Sequence, residues 1–250
     1  VTTINHHNEV PGGPETNGVF DVAHLKKVAE GMRRDVYRVP AHMAPKGHAN
    51  KPLILKVPRY AEYSRNRPFM KRLVRAVAPY IDVRIYRKEA RYRRKLSRIE
   101  SKTNIKLPIP AFYGFVETTV GQGSLWEAAC DGEGNLAPTL AQIDDAGLLA
   151  DVIDPLNECV DLLYAHHIVA PDVHKGNLVL ATDQGRHRVM LIDGFADHRI
   201  FSTRSLSARK NAAGLQKRFL SITRTTGLSY DVARRRFFLP GPENGRQSSI

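Results

Sequence analysis

The sequence predicts an α+β protein in two lobes, the first built on five antiparallel strands with one main helix and the second short and mostly helical. Three observations predict it. Short apolar segments punctuated by Gly and Pro crowd the first half of the chain, the signature of strands. Residues 139–168 and the tail show the 3.6-residue spacing of helices instead. Between those helical stretches lies one small strand pair, 177–193, with Asp193 at its far end.

Taken in order, residues 1–20 are polar, lack the basic and apolar segments of a signal, and read as a disordered arm. The first lobe, 21–128, begins with a strand over 24–31 that stops at Gly31. A second strand, 34–40, ends at Pro40, and a polar loop leads to a third, 52–59. That third strand carries Lys56 among Ile54, Leu55 and Val57. Residues 61–85 form a basic insertion with one helix expected around 68–77. A second helical pattern, 81–101, places Ile85, Ala90 or Tyr92, Leu96 and Ile99 on one face. Two strands within 107–130 are expected to join through Gly121-Gln122-Gly123. The second lobe, 129–240, opens with helix over 139–168, broken or restarted at Pro155 and capped by His166 and His167. After the strand pair the tail offers two amphipathic helices, 206–226 and 229–238, and 241–250 is a flexible stub rich in Gly, Pro and Ser.

At 250 residues, 42% hydrophobic and 25% charged, the chain can bury a core. No apolar run is long enough to span a bilayer, and Cys130 and Cys159 lack metal-type spacing, so a reduced cytoplasmic protein is expected. The net charge of +13 is segregated. No Lys or Arg falls between Lys106 and Lys175, whereas thirteen lie between Arg65 and Arg98 against Asp82 and Glu89 alone. Tyr80, Tyr86 and Tyr92 interleave with those cations, but a spacing of six does not line one helical face. Nucleic acid is therefore the weaker expectation for residues 65–98. A solvated basic face with its tyrosines packed inward, or a strip that docks an acidic partner, fits the pattern better.

The chemistry concentrates in residues 170–195, APDVHKGNLVLATDQGRHRVMLIDGF. Asp172 and Asn177 share one loop, and Asp193 closes the following strand pair. Such acids need a cation or a hydrogen-bond partner to justify their charge. Phosphoryl transfer from ATP requires a Lys for phosphate oxygens, a carboxylate to hold that Lys, two metal ligands and one carboxylate at the attacking hydroxyl. Lys56, Glu89, Asn177, Asp193 and Asp172 supply those residue types in that chain order.

The stretch LYAHHIVAPDVHKGNLVL resembles the catalytic loop of the protein-kinase-like superfamily, in the Asp-x-His-x-Gly-Asn form found in aminoglycoside and choline kinases. Together with GMRRDVYRVP, LILKVPR, EARYRRKL, IPAFYGFVETTVGQGSLWE, DGEGNLAPTL and LIDGF, it is similar to the YrbL family of PhoP-regulatory-network proteins over roughly residues 24–200. The resemblance implies a kinase-like fold with ATP and Mg²⁺ in its cleft. Lys56 would contact the phosphates and pair with Glu89, Asn177 and Asp193 would hold Mg²⁺, and Asp172 would accept or steer the proton of an unidentified acceptor hydroxyl. The backbone from Glu127 to Ala129 would bind adenine.

Several positions depart from the kinase pattern. The first turn has only Gly31, followed by Met32, Arg33 and Arg34, so the two arginines would replace a glycine-rich phosphate lid. Ala170-Pro171 stands where protein kinases carry His-Arg, which removes the pocket for a phosphorylated activation loop. Only 55 residues follow Phe195, too few for a conventional peptide-substrate platform.

Each residue also has a plainer reading. Asp172 and Asn177 could form an Asx turn, and Lys56 could be an edge lysine reaching water. Glu89 could pair with Arg93 one turn on, with Glu100 as its rival for Lys56. His174 reads as a loop hydrogen-bonder and Trp126 as core. At the level of the whole protein, the alternatives to a phosphotransferase are a pseudokinase that binds nucleotide without turnover and a basic scaffold for nucleic acid or another partner.

Overall fold

The computed structural model describes residues 19–31, 34–45, 47–59, 71–196 and 207–241, with 71–85 described by backbone alone. The expected arm before residue 19, residues 32–33, 46 and 60, residues 61–70 of the basic insertion, residues 197–206 with the first position of the helix expected over 206–226, and the stub from 242 lie outside the described residues. The chain forms two compact units, Val1–Tyr86 with Ala111–Ala128, and Arg87–Pro110 with Ala129–Ile250. No described helix is long and apolar enough to cross a membrane.

The first unit is a five-stranded antiparallel sheet of β1 (Lys26–Glu30), β2 (Arg34–Val39), β3 (Leu53–Pro58), β4 (Phe112–Thr118) and β5 (Gly121–Glu127). Its order is β1-β2-β3-β5-β4, so the expected meander and hairpin join through β3 and β5. Strand β3 is central and buried along its whole length, which explains the apolar residues on either side of Lys56. Alternation sends Leu53, Leu55 and Val57 into a core with Leu25, Val39, Met43 and Leu125. Ile54 and Lys56 therefore occupy the opposite face, in register with Trp126 and Ser124 of β5.

The β4–β5 turn differs from expectation. Thr118 pairs with Gly121, so the turn residues are Thr119 and Val120, and Gly121-Gln122-Gly123 belongs to the strand. Gly123 is there for close packing, because a Cβ would stand 2.7 Å from Leu55 Cδ1. Phe20 adds a bridge to Thr118, its N–H donating to the Glu117 carbonyl at 2.8 Å.

One continuous helix, α1 (Lys71–Thr103), replaces the two helical segments expected on either side of residue 80. Pro79 removes one N–H from the ladder, and the helix runs on through it.

The second unit contains α2 (Leu140–Asp145), α3 (Ile153–Ala165), the hairpin β6 (Leu178–Asp183) and β7 (Arg186–Leu191), α4 (Ala208–Thr223), and a second hairpin, β8 (Ser229–Asp231) and β9 (Arg236–Phe238). Thr139 and Gln142 form a capping box that starts α2. Pro155 is the restart expected from sequence, since it sits in the first turn of α3, where its missing N–H costs nothing. Leu156, Cys159, Val160 and Leu163 bury one face of α3. His167 ends that helix with φ at 49°, while its N–H bonds the Tyr164 carbonyl and that of Ile168 bonds Leu163. This is a backbone C-cap, at the position where the two histidines were expected to act.

Residues 229–238 are a hairpin rather than the helix expected from their pattern. Asp231 accepts from the Ala233 and Arg234 N–H groups, both at 2.9 Å, and Arg235 takes φ of 57°, which closes a tight turn. Tyr230 and Phe237 then pair across the strands and pack against Phe219 at centroid distances of 5.4 and 5.6 Å. Buried Asn157 of α3 completes β9 as a strand would, donating to the Phe237 carbonyl at 3.0 Å and accepting its N–H at 2.7 Å. Replacing Asn157 by Ala orphans both groups and is expected to destabilise the protein by about 2–4 kcal/mol in urea unfolding. A loss below about 1 kcal/mol would mean that the aromatic cluster alone holds the hairpin.

Candidate functional site

In the first unit, Lys56 is 5% exposed, unlike a lysine whose head reaches water. Its Nζ lies 5.4 Å from the centre of the Trp126 ring, within cation–π range. Trp126 is itself core, 1% exposed and tilted against Phe112 at 4.8 Å. Its Nε1 donates to Ser124 Oγ at 3.0 Å, and that hydroxyl donates to the Lys56 carbonyl at 3.4 Å. The strand thus holds the lysine from its backbone and its ammonium from the tryptophan face.

Gly31 and Arg34 flank the β1–β2 turn, the Gly31 N–H donating to the Arg34 carbonyl at 2.8 Å. Arg33 lies outside the described residues. The Arg34 guanidinium stands 5.0 Å from the Tyr86 ring centre. Beside the turn is an ionic network with no signal in the sequence. Lys27 pairs with Asp35 at 2.8 Å and Glu30 at 2.7 Å, and Arg59 reaches Glu30 at 2.8 Å. The hydrogen bond to Asp35, then that to Glu30, raises the Lys27 ammonium above the usual lysine range, and the one from Lys27 lowers the Glu30 carboxyl.

At Glu127 the backbone is already committed. Its N–H donates to the Ala111 carbonyl at 2.8 Å, that of Ala128 to Pro52 at 2.9 Å, and the Glu127 carboxylate accepts from the Ala111 N–H at 2.8 Å. Ala129 belongs to the second unit, where its carbonyl accepts from Ala137.

In the second unit, the Asp172 backbone meets the Asn177 side chain and lies against Gly194, the neighbour of Asp193. The Asn177 side-chain amide donates to the Asp172 carbonyl at 3.0 Å. The Asp172 N–H donates to the Gly194 carbonyl at 3.2 Å, and Ile192 N–H to the Asn177 carbonyl at 2.9 Å. Gly194 has φ of 76°, and a Cβ there would fall 2.6 Å from the Asp172 oxygen and 2.8 Å from its Cβ. Its own N–H donates to Asp193 Oδ1 at 2.8 Å. These bonds occupy the amide nitrogen of Asn177 and one carboxylate oxygen of Asp193. The Asn177 side-chain oxygen and the Asp193 carboxylate are hard oxygen donors, the kind that suits Mg²⁺. Among the described residues, no group of three His, Cys, Asp or Glu side chains forms a metal cluster. A two-ligand set matches an ion that keeps most of its waters and binds with phosphate.

Surrounding contacts hold this loop from several sides. His174 is the loop hydrogen-bonder expected, its Nδ1 accepting from the Gly176 N–H at 3.1 Å. Lys175 ties the loop to Asp144 at 3.2 Å and to the Thr225 carbonyl at 2.6 Å. Upstream, the Val169 N–H donates to Tyr92 Oη at 2.7 Å and Asn211 donates to the Ile168 carbonyl at 3.1 Å. Burial drives the Tyr92 hydroxyl upward in pKa, with the Val169 bond opposing. Lys175, Tyr92 and Asn211 carry no local sequence signal for this task.

Glu89 is 1% exposed on α1. Arg93, its alternative partner from sequence, instead donates to Glu100 at 2.8 Å, to Ser97 at 2.9 Å and to the Pro110 carbonyl at 2.7 Å. Glu100, the rival for Lys56, is therefore the carboxylate that holds Arg93.

Fold and site define an α+β protein of two units, one carrying a buried strand lysine and the other an Asp-Asn-Asp loop. The chain belongs to the family described as PhoP regulatory network protein YrbL, whose model matches residues 21–227. No individual curated protein matches it.

Gly194→Ala and Gly185→Ala separate site geometry from backbone cost. Both glycines have positive φ, but a Cβ at Gly185 meets nothing within 4 Å. Gly185→Ala is expected to cost about 1 kcal/mol and Gly194→Ala about 2–4 kcal/mol, with Asp172 and Asn177 amide resonances shifted only in the latter. Equal costs and unshifted resonances would contradict the packed contact.

Proposed function

We propose that the protein is an ATP- and Mg²⁺-dependent phosphotransferase of kinase-like fold that acts on a hydroxyl acceptor. The observation that carries this reading is the set of contacts that fix the Asp172 backbone against the Asn177 amide and against Gly194, the residue next to Asp193. A purely structural Asx turn would account for Asp172 and Asn177 but not for a glycine-only contact that draws in Asp193.

Each residue then has a task. Lys56 would hold phosphate oxygens by charge, and buried Glu89 would be its carboxylate partner. Asn177 Oδ1 and the Asp193 carboxylate would hold Mg²⁺, which supplies charge neutralisation to the phosphates when bound. Asp172, exposed at the loop tip, would take the proton of the attacking hydroxyl as the γ-phosphoryl leaves ADP for the acceptor oxygen. With the N–H groups of Glu127 and Ala128 engaged, adenine contacts fall to the Ala129 N–H and to carbonyl oxygens, which can accept twice. Arg33 and Arg34 would add charge at the β1–β2 turn in place of a glycine-rich lid.

The test is single-turnover formation of ADP from ATP, with water and a panel of hydroxyl compounds as acceptors, beside binding of a fluorescent ATP analogue. Asp172→Ala is expected to slow turnover by about 10²-fold or more while binding survives. Asp193→Asn is expected to weaken metal-dependent binding itself. Wild-type binding without turnover would assign the protein to the pseudokinase class instead. Unchanged turnover in Asp172→Ala would remove the proposed role of that carboxylate.

A further inference from the structure

Residues 87–102 of α1 carry a charge pattern that nucleotide chemistry does not use. Arg87, Arg91, Arg94 and Arg98 follow one another at intervals of four, three and four residues, which places them along one helical line. Lys95 and Lys102 flank that line, and all six side chains are exposed. Arg87, Arg91, Lys95, Arg98 and Lys102 form no ion pair with any described residue. The two acids of the stretch are turned away, Glu89 at 1% exposure and Glu100 at 18% in its pair with Arg93. The opposite face is fastened down by buried Ala90, Arg93 and Leu96. The result is a cationic ridge about 22 Å long on a helix that cannot leave the body.

We propose that this ridge binds the phosphodiester backbone of double-stranded nucleic acid, without reading sequence. One strand of a duplex presents about one phosphate per 3.4 Å of axis, so a ridge of about 22 Å runs beside roughly six. Four of its six cations are Arg, whose planar fork engages phosphate through two donors. A stable protein interface needs an apolar anchor at its centre. None of the exposed large hydrophobic residues lies on this face, and the nearest, Ile105, falls beyond the helix end. Single strands are gripped by exposed aromatic platforms. Tyr86 is buried and Tyr92 is committed to the Val169 N–H, so the ridge has none. The tyrosine spacing that argues against nucleic acid in the sequence therefore bears on base stacking alone, and backbone contact remains.

Fluorescence anisotropy with a labelled 20-base-pair duplex of mixed sequence tests this on the full chain. Five phosphate contacts predict a slope of about −4.5 for the logarithm of affinity against the logarithm of salt. Arg91→Glu/Lys95→Glu/Arg98→Glu is expected to weaken binding by more than about tenfold at 0.1 M salt and to flatten the slope by about 3. The matched reversal Arg209→Glu/Lys210→Glu/Arg224→Glu, at exposed positions on and just after α4, is expected to change affinity less than about twofold. Circular dichroism checks that both variants keep the fold. Equal losses in the two triples would overturn the ridge in favour of diffuse net charge. Tighter binding to a 20-nucleotide single strand, a polyglutamate peptide or phosphatidylserine vesicles than to the duplex would overturn it as well.

Discussion

The carbonyl oxygen of Asp172 is the point on which the acidic site depends. It accepts the Asn177 amide at 3.0 Å and lies against Gly194, where no side chain fits. A peptide carbonyl is a fixed dipole, and here it orients the Asn177 amide. The backbone of the loop therefore sets much of its geometry.

That loop is held from outside as well. The chain enters the loop from a helix whose end is closed by His167 in the left-handed conformation, so its direction is set within one residue. Tyr92 and Asn211, from α1 and α4, then take the backbone groups of Val169 and Ile168. Lys175 fastens the tip to Asp144 and Thr225. Three elements far apart in sequence thus converge on ten residues. Rigid support of this kind is what a preorganised site requires.

Much of this was legible from sequence where the physics is local. The three early strands show their alternation, and β3 shows its burial on both faces through the run that surrounds Lys56. Asp172, Asn177 and Asp193 stand out because acids at strand ends need a reason. What was not legible depends on distant partners. Residues 229–238 have the composition of an amphipathic helix, and only Asn157, eighty positions away, together with Phe219, makes a hairpin the better use of Tyr230 and Phe237. Gly121-Gln122-Gly123 looks like a turn because glycine serves both turns and close packing, and Leu55 decides for packing. Glu89 and Arg93 are spaced as a surface pair, yet both are buried and Arg93 goes to Glu100. The inward turn of both acids is also what leaves the outer face of α1 to its cations.

The Asp172–Asn177–Asp193 loop is proposed to hold metal-bound phosphates. Calorimetric titration of the wild type with ATP, once with Mg²⁺ and once with the metal chelated, addresses it most directly. The expected result is binding of one nucleotide per chain that requires Mg²⁺. Absence of binding at millimolar ATP, or equal binding with and without the metal, would contradict it.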